Sequence, residues 1–288
     1  MKAWSASTVA AGLWVLGLFI VLGAIDHAEA ARCAPTTGVA AAEDTAFGDC
    51  LFHSRSDFGQ NPSAPFASCA SCHYGVNFRD RAAHFNILKN AKGKTVQVLR
   101  NTPTLFNAAD TAPYSWDGRN ATIQAQALQA ILDPQEIAGT GATPDQLDAL
   151  AAFVKSLQPP ESAYDRFIDG DSTAMNPEAI NGLNIFLGKG TCATCHTPPL
   201  FTNNQIRTNQ KNGMTFSGRT DPGAGFVGTG PLYSFNVPQL RAVSMTGPYM
   251  HNGALGTLGQ VVRFYNQSLA LGLTEAEMRD LIEFLKAL

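Results

Sequence analysis

The chain has 288 residues, of which 15% are charged and 45% hydrophobic, and its formal net charge at pH 7 is −3. This length allows two domains of ordinary size, and so small a charge indicates neither a nucleic-acid partner nor an anionic membrane surface. The 26 glycines, 16 prolines and 9% aromatic residues predict compact helical domains joined by long structured loops.

The first thirty residues have the order of a secretory signal. Lys2 is followed by an apolar run from Val9 to Ile25 and then by the small-residue cleavage site Ala28-Glu29-Ala30. We predict a signal peptide over residues 1–30, cleavage after Ala30, and no stable membrane insertion of the mature chain. Because the apolar run is long enough to span a membrane, an uncleaved anchor remains an alternative.

Four of the six cysteines lie in a repeated motif, Cys69-Ala-Ser-Cys72-His73 and Cys192-Ala-Thr-Cys195-His196. Cys-x-x-Cys-His is the attachment signature of c-type haem. Two thiols one helical turn apart can form thioethers to the two vinyl groups of a porphyrin, and the adjacent histidine binds the iron. The motifs therefore predict two covalently bound haems c.

A split zinc site and a redox dithiol are the alternatives for these cysteines. Zinc ribbons usually place their Cys-x-x-Cys pairs about 15–20 residues apart, whereas more than a hundred residues separate these two. A thioredoxin-like dithiol needs a βαβ context, which neither flank offers. Haem attachment is the interpretation that the spacing favours.

Cys33 and Cys50 remain after the haem cysteines are assigned. An oxidising compartment permits disulfides, so these two cysteines could pair and fasten the N-terminal segment. Free thiols are the alternative.

Two amphipathic helices with the same start signal are predicted. Thr143-Pro144-Asp145-Gln146 supplies an N-cap, a first-turn proline and a capping-box glutamine, and Thr274-Glu275-Ala276-Glu277 repeats the device. Each helix follows a haem motif by about 70–85 residues, and Pro159-Pro160 separates the two copies. The pattern predicts a duplicated unit, with one half over residues 31–160 and the other over 161–288.

The predicted fold class is all-α, because no stretch shows the sustained alternation of a sheet protein. Residues 202–237 are rich in Gly, Asn and Thr and are predicted as a long loop with at most a short hairpin.

A family resemblance rests on segments outside the haem motifs. The first half contains Arg100-Asn101-Thr102-Pro103-Thr104-Leu105-Phe106-Asn107 and Trp116-Asp117-Gly118-Arg119, and the second contains Val237-Pro238-Gln239-Leu240-Arg241 and Thr246-Gly247-Pro248-Tyr249-Met250-His251. These segments resemble bacterial di-haem cytochrome c peroxidases and MauG over nearly the whole mature chain. The resemblance implies two cytochrome c-like domains related by internal duplication, each with one haem, in a periplasmic enzyme that reacts with hydrogen peroxide.

The resemblance also implies roles for three residues that lie between the two haem motifs in the sequence. Trp116 stands where the family places an indole that relays electrons, with a packing tryptophan as the alternative. Gln126 and Glu136 match the distal pocket of the peroxide-reactive haem, where a carboxylate can transfer protons. An exposed glutamine and a capping-box glutamate are the alternatives. Ala130 departs from the proline that the family often has there, which puts the pocket wall in doubt.

Asn101, Thr246 and Pro248 match the family's calcium site, which uses one side-chain amide and two backbone carbonyls. Oxygen ligands of this kind suit calcium. This expectation rests on the resemblance alone.

The resemblance also distinguishes the two haems. Peroxidases of the family place a methionine ligand fourteen residues after the histidine that corresponds to His251, and here that position is Tyr265. Tyrosine ligation is the MauG arrangement. The alternative is that Tyr265 packs within its helix and that Met245, Met250 or Met214 binds the iron.

The first haem has no obvious sixth ligand in the sequence. The stretch before Arg100, where many peroxidases carry a removable histidine, contains none from Gly93 to Leu99. His84 could ligate the iron, although a surface or capping role is the alternative, and His53 is interpreted as structural. We expect this haem to be five-coordinate.

The resemblance as a whole implies a MauG-like enzyme that uses peroxide to form a high-valent di-haem state and oxidises a Trp or Tyr of a partner protein. An ordinary cytochrome c peroxidase, supplied with electrons by a small cytochrome c or cupredoxin, is the alternative. A pure electron-transfer cytochrome is a third. A monomer and a homodimer are both compatible with the sequence.

Overall fold

A computed structural model of the chain describes residues 32–79, 82–208 and 221–288, so the predicted signal peptide lies outside the described residues. Within those three ranges, none of the helices combines the length and the apolar character that crossing a membrane requires. Residues Arg32–Leu288 form one unit with two hydrophobic cores, one built from residues of each half.

The two halves use the same order of helices. In the first half α1 (Thr45–His53) packs on α3 (Pro144–Ser156), and α2 (Ile123–Leu132) also packs on α3. After the short helix α4 (Ala163–Ile168), α5 (Pro177–Leu187) packs on α8 (Glu275–Lys286). Two helices lie between α5 and α8 in the sequence: the four-residue α6 (Ala224–Val227) and the longer α7 (Leu258–Ser268). Helix α7 also packs on α8.

Both predicted capping boxes are present. The Thr143 hydroxyl accepts a hydrogen bond from the backbone N–H of Gln146, and the Gln146 side chain accepts one from the N–H of Thr143. Thr274 and Glu277 form the same reciprocal pair at the start of α8. The start signals of α3 and α8 are therefore confirmed.

Each core is centred on aromatic side chains that meet edge to face, which is the arrangement that ring quadrupoles favour. In the second core the Phe201 and Phe284 rings are 5.9 Å apart, and Tyr164 and Phe186 contact both. The large buried side chains of the first core are Phe47, Leu51, Phe52, Phe58, Ile131, Leu150 and Phe153.

A glycine permits the helix crossing in each half. A Cβ atom built on Gly48 of α1 would lie 2.0 Å from the Ala149 carbonyl oxygen, and one built on Gly182 of α5 would lie 2.0 Å from the Asp280 carbonyl oxygen. Since the obstacle is backbone in both cases, no side-chain rotation can relieve it. The two helix pairs therefore approach each other through the same kind of contact.

The helical fold class agrees with the structure, but one hairpin was not expected from the sequence. A hairpin of two seven-residue strands, β1 (Ala83–Lys89) and β2 (Thr95–Asn101), stands between the first haem motif and α2. Its turn is closed by the Asn90 side chain, which accepts from the N–H groups of Lys92 and Lys94, and by Gly93 at φ +78°. Polar and apolar residues alternate only weakly along the two strands, so the sequence pattern did not indicate this hairpin.

The short hairpin expected within residues 202–237 is present. It pairs β3 (Ile206–Thr208) with β4 (Ser234–Asn236) in antiparallel register.

The predicted pairing of Cys33 with Cys50 is confirmed. The two residues form a disulfide with their Cα atoms 5.7 Å apart. Because Cys50 belongs to α1, the disulfide fastens the segment before that helix to the first core.

We predict that Gly182→Ala destabilises the protein, because the added methyl group forces α5 away from α8. The expected cost is about 2–3 kcal/mol, which corresponds to a fall in Tm of roughly 5–10 °C. The measurement is thermal unfolding of the holoprotein. Gly259→Ala in α7 is the matched control, because its nearest neighbouring atom would lie 3.8 Å away. Equal Tm values for the two variants would contradict this account of the crossing.

Candidate haem sites and the junction between them

The two Cys-x-x-Cys-His motifs fold into the same tight turn. Cys69–Ser71 and Cys192–Thr194 are single 3-10 turns. The backbone N–H of His73 donates to the Cys69 carbonyl and that of His196 to the Cys192 carbonyl, each over 2.9 Å. All four cysteines of the two motifs are half-buried. The turn places both thiols and the histidine of each motif together.

The ring of each motif histidine is oriented by a backbone carbonyl five residues further along the chain. His73 Nδ1 lies 2.9 Å from the Phe78 oxygen, and His196 Nδ1 lies 3.0 Å from the Phe201 oxygen and 3.1 Å from the Pro238 oxygen. A carbonyl can only accept, so Nδ1 carries the proton and Nε2 presents its lone pair. Metal-bound histidines are typically fixed in this way. The residues therefore fit covalently bound haem c at both motifs.

The cysteine pairs belong to different cores. Cys69 packs against the first core, and Cys192 packs against the second. Burial lowers the pKa of His196, which favours the neutral imidazole that iron ligation requires. The four cysteines thus lie in two separate sites, so they do not form the split zinc site of the alternative interpretation.

Glu136 lies in the turn that follows α2, where its backbone N–H donates to the Asp133 carbonyl. Its carboxylate accepts a hydrogen bond of 2.7 Å from Asn86 Nδ2 of the hairpin. No helix begins at Asp133 in the described structure, so the helix-capping alternative for Glu136 is wrong. Instead, the carboxylate links the turn after α2 to strand β1.

The surroundings of Glu136 change its acidity. Burial raises the pKa of Glu136 to about 7, and the charge of Asp133 adds to this rise. Three contacts lower the pKa of Glu136 in part: the charge of Arg119, the hydrogen bond from Asn86 and the charge of His84. Burial raises the pKa of the Cys69 thiol to about 12, and Glu136 contributes to that shift. The carboxylate is therefore close enough to the first haem motif to act on it electrostatically.

His84 and Asn86 occupy the same face of β1, because side chains two residues apart in a strand point the same way. The His84 ring meets the edge of Phe66 at 4.9 Å, and its charge acts on Glu136. This places His84 on the Glu136 side of the hairpin. His53 is exposed at the end of α1, where Nδ1 lies 3.2 Å from an Asp49 carboxylate oxygen, which agrees with a structural role.

Gln126 is held in a polar network in the first half of α2. Its side-chain oxygen accepts from the Ser115 hydroxyl and, over 2.9 Å, from Asn120 Nδ2. Asn120 also donates to Gln129. Gln126 is half-buried, so it is not the exposed helix-surface glutamine of the alternative interpretation.

Trp116 lies at the junction of the two halves. Its indole N–H donates to the Asn101 carbonyl over 2.7 Å. The Asn101 backbone N–H in turn donates to the His251 carbonyl over 2.7 Å. A continuous set of hydrogen bonds therefore connects Trp116 with the second half.

Two asparagines make reciprocal bonds across the junction. Asn101 Nδ2 donates to the Pro248 carbonyl over 2.8 Å, and Asn236 Nδ2 donates to the Pro113 carbonyl over 2.6 Å. The backbone N–H of Asn236 also donates to the Trp116 carbonyl, as that of Asn101 does to His251. Each half thus offers the other the same pair of donors.

A buried ionic cluster supports the junction. Arg100 Nε lies 2.5 Å from Asp221 of the second half, and Arg100 Nη2 lies 3.2 Å from Asp117, whose side chain is 0% exposed. Arg119 Nη1 is 3.3 Å from the same Asp117 carboxylate. His251 stacks on Phe235 with ring centroids 3.8 Å apart, and burial lowers the pKa of His251 to about 4. His251 is therefore neutral beside the cluster.

The expected calcium ligands do not fit a calcium ion. Asn101 and Pro248 are brought together, and Thr246 lies in the same segment, as the resemblance implies. However, the Arg79 guanidinium donates to Asn101 Oδ1 over 2.6 Å and to the Pro248 carbonyl over 3.3 Å. A fixed positive charge already engages two of the three expected oxygens.

Tyr265 lies on α7 at intermediate burial. Leu258 and Val262 of this helix belong to the second core, against which Cys192 packs. Tyr265 follows Val262 by three residues, which puts both on the same side of the helix. Met245 and Met250, two of the alternative ligands, lie in the junction segment, and Met214 lies outside the described residues.

Several junction and pocket residues were not identified from the sequence, among them Asn86, Arg79 and Asn236. Asn86 and Arg79 act through side chains that contact residues far away in the chain, for which no local pattern exists. Asn236 had a usable signal, because Asn236-Val-Pro repeats Asn101-Thr-Pro.

Comparisons with known proteins agree with this geometry. Residues 42–147 match the family model of the di-haem cytochrome c peroxidases. The chain is 30% identical to cytochrome-c peroxidase IdrP2 of Denitromonas iodatirespirans, over 77% of this chain and 76% of that protein. It is also 30% identical to methylamine utilization protein MauG of Methylorubrum extorquens, over 77% and 72% respectively.

A solved structure has the same fold. The crystal structure of a MauG-like protein associated with microbial copper homeostasis superposes with a TM-score of 0.68 at 21% identity, covering 89% of this chain and 91% of that one.

We predict that Asp117→Asn strongly destabilises the junction, because it removes a fully buried carboxylate that pairs with the buried Arg100 and with the partly buried Arg119. The expected cost is about 3–5 kcal/mol. The control is Glu161→Gln, which removes one member of an exposed ion pair with Arg166. It should change stability by less than about 1 kcal/mol. The measurement is thermal unfolding of both holoproteins. A loss of stability in Asp117→Asn as small as that in the control would contradict the structural role of the cluster.

Proposed function

Because this chain belongs to the di-haem cytochrome c peroxidase and MauG family, we propose that it is a MauG-like periplasmic enzyme that uses hydrogen peroxide to oxidise a partner protein. Family membership makes the protein a haem-dependent oxidoreductase with covalently bound haem c. The MauG-like character, the periplasmic location and the oxidation of a partner's Trp or Tyr are the proposed steps.

The observation that carries the proposal is an asymmetry between the halves. In the region from Asn101 to Ala130, several residues have an equivalent in the second half at one constant offset, and both members of each pair have the same contacts. The pairs are Asn101 and Asn236, Pro113 and Pro248, Tyr114 and Tyr249, and Thr122 and Thr257. At this offset Tyr265 of α7 corresponds to Ala130 of α2. A phenol can bind iron and a methyl group cannot.

This asymmetry supports a division of labour. Cys69, Cys72 and His73 hold the haem that meets peroxide, and Cys192, Cys195, His196 and Tyr265 hold the haem that stores charge. When bound, the two haems supply peroxide reduction and storage of the oxidising equivalents. The shared pattern of contacts also supports an internal duplication, with cytochrome c-like domains over residues 31–160 and 161–288.

Glu136 is proposed as the proton-transfer group of the first site. A carboxyl group with a pKa of about 7 can take and return a proton near neutral pH with little driving force in either direction. Asn86 holds the carboxylate at a fixed position. Gln126 is fixed by Ser115 and Asn120 in the same half and is proposed to line the same pocket.

Trp116 is proposed as the relay between the two sites. Its indole N–H and the Asn101 amide form a continuous set of hydrogen bonds to the second half. The Asn101 carbonyl accepts a hydrogen bond from the indole N–H of Trp116, but it is too weak a base to remove the proton. Transfer of an electron through Trp116 therefore need not be coupled to loss of its proton.

An ordinary cytochrome c peroxidase is the second candidate, and it is favoured by the name of the relative IdrP2. It would use Glu136, Gln126 and Trp116 in the same roles and draw electrons from a small cytochrome c or cupredoxin. Fast turnover with reduced cytochrome c, without modification of any partner protein, would favour this candidate over the first.

We predict that peroxide consumption rises as the pH is raised through about 7, because the Glu136 carboxylate must be deprotonated to accept a proton. Glu136→Gln keeps an acceptor for Asn86 but cannot take the proton, so kcat/KM for peroxide should fall about 10²–10⁴-fold. The control is Gln135→Ala, which removes an exposed bond to Gln97 and leaves Glu136 unchanged. Full activity of Glu136→Gln would exclude this residue as the proton-transfer group.

We predict that Tyr265→Phe changes the optical and EPR spectra of the second haem, because it removes the phenol oxygen that would bind the iron. Tyr114→Phe is the matched control: its hydroxyl donates to the Ala108 carbonyl in the first half, and its loss should leave the second haem unchanged. If the Tyr265→Phe spectra equal those of the wild type, the tyrosine ligation is wrong.

A further inference from the structure

The segment that follows the first haem motif reaches across the junction. Arg79 is 3% exposed and lies one residue after Phe78, whose carbonyl orients His73. Its guanidinium donates to Asn101 Oδ1 over 2.6 Å and to the Pro248 carbonyl over 3.3 Å. One side chain therefore joins strand β2 to residues 245–250 of the second half.

Two more carbonyls of this segment, those of Met245 and Met250, also receive donors from the first half. Asn77 Nδ2 donates to the Met245 carbonyl, and Asn101 Nδ2 donates to the carbonyls of Pro248 and Met250. Protein N–H groups thus engage three carbonyl oxygens of this segment, and one of them, that of Pro248, is an expected calcium ligand.

Arg79 distinguishes the first half from the second. Phe78 and Arg79 stand at the same positions after His73 as Phe201 and Thr202 do after His196, so Arg79 and Thr202 are equivalent residues. The Thr202 hydroxyl donates to the Val237 carbonyl within its own half over 2.6 Å. At the equivalent position the second half therefore has a short neutral side chain that does not cross the junction.

We propose that Arg79 is a built-in cation that takes the place of a bound calcium ion between the two haem sites. A guanidinium is always charged in proteins, and its planar fork holds two oxygens at once. Calcium needs oxygen ligands and would have to bind beside this fixed positive charge. The junction is complete without a metal ion, and the protein needs no calcium to hold its two halves together.

Calcium content and stability of the holoprotein test the proposal. Wild-type protein is dialysed against EGTA and then against metal-free buffer, and its calcium is measured by inductively coupled plasma mass spectrometry. We expect far less than one calcium ion per chain, with haem spectra and Tm unchanged by EGTA or by millimolar calcium. Retention of about one calcium ion per chain, or a spectral change on chelation, would overturn the proposal.

The matched variant is Arg79→Thr, which installs the residue that the second half has at the same position. We expect its Tm to fall by about 5 °C or more without metal and to recover in millimolar calcium, because a ligand that binds only the folded state stabilises it. Arg79→Lys keeps the charge and should gain no calcium response. An Arg79→Thr holoprotein that is indifferent to calcium would count against replacement of the ion.

If Arg79→Thr does not accumulate as holoprotein, the wild-type measurements decide the question alone. None of these readouts uses peroxide turnover. The proposal therefore stands or falls separately from the identity of the oxidised partner.

Discussion

The reciprocal hydrogen bonds of Asn101 and Asn236 set the arrangement of the two haem sites. Each asparagine ends a strand of its own half, and each gives its backbone N–H and its side-chain amide to carbonyls of the other half. These four bonds fix both translation and rotation of the halves. Since electron transfer depends steeply on the separation of its sites, the activity proposed here requires such a rigid junction.

The buried charges near these asparagines have a different purpose. Arg100, Asp117 and Asp221 are nearly inaccessible to water, and the desolvation of such a cluster offsets much of its Coulomb attraction. A well-packed apolar junction could be equally stable. The value of the cluster lies in specificity: Arg100 reaches Asp221 of the second half only when the halves are correctly aligned, so misaligned arrangements leave the Asp221 carboxylate without this partner.

The sequence allowed prediction wherever the signal was local. The two haem turns, the capping boxes of α3 and α8 and the Cys33–Cys50 pairing all depend on residues close together in the chain. The β1–β2 hairpin was missed because its alternation is short and interrupted by polar residues. The partner of Glu136 and the cation beside Asn101 could not be predicted, since Asn86 and Arg79 meet them only through tertiary contacts.

The β1–β2 hairpin connects the Glu136 carboxylate, which we propose as the proton-transfer group, to the junction within one element. Asn86 of β1 holds Glu136, and Asn101 at the end of β2 bonds to the second half. Because strand side chains alternate, one inserted residue within β2 would exchange the faces of Arg100 and Asn101 and break the junction. An insertion in the turn around Gly93 would leave the register of both strands intact. Length variation among related chains is therefore expected at the tip of this hairpin and not along its strands.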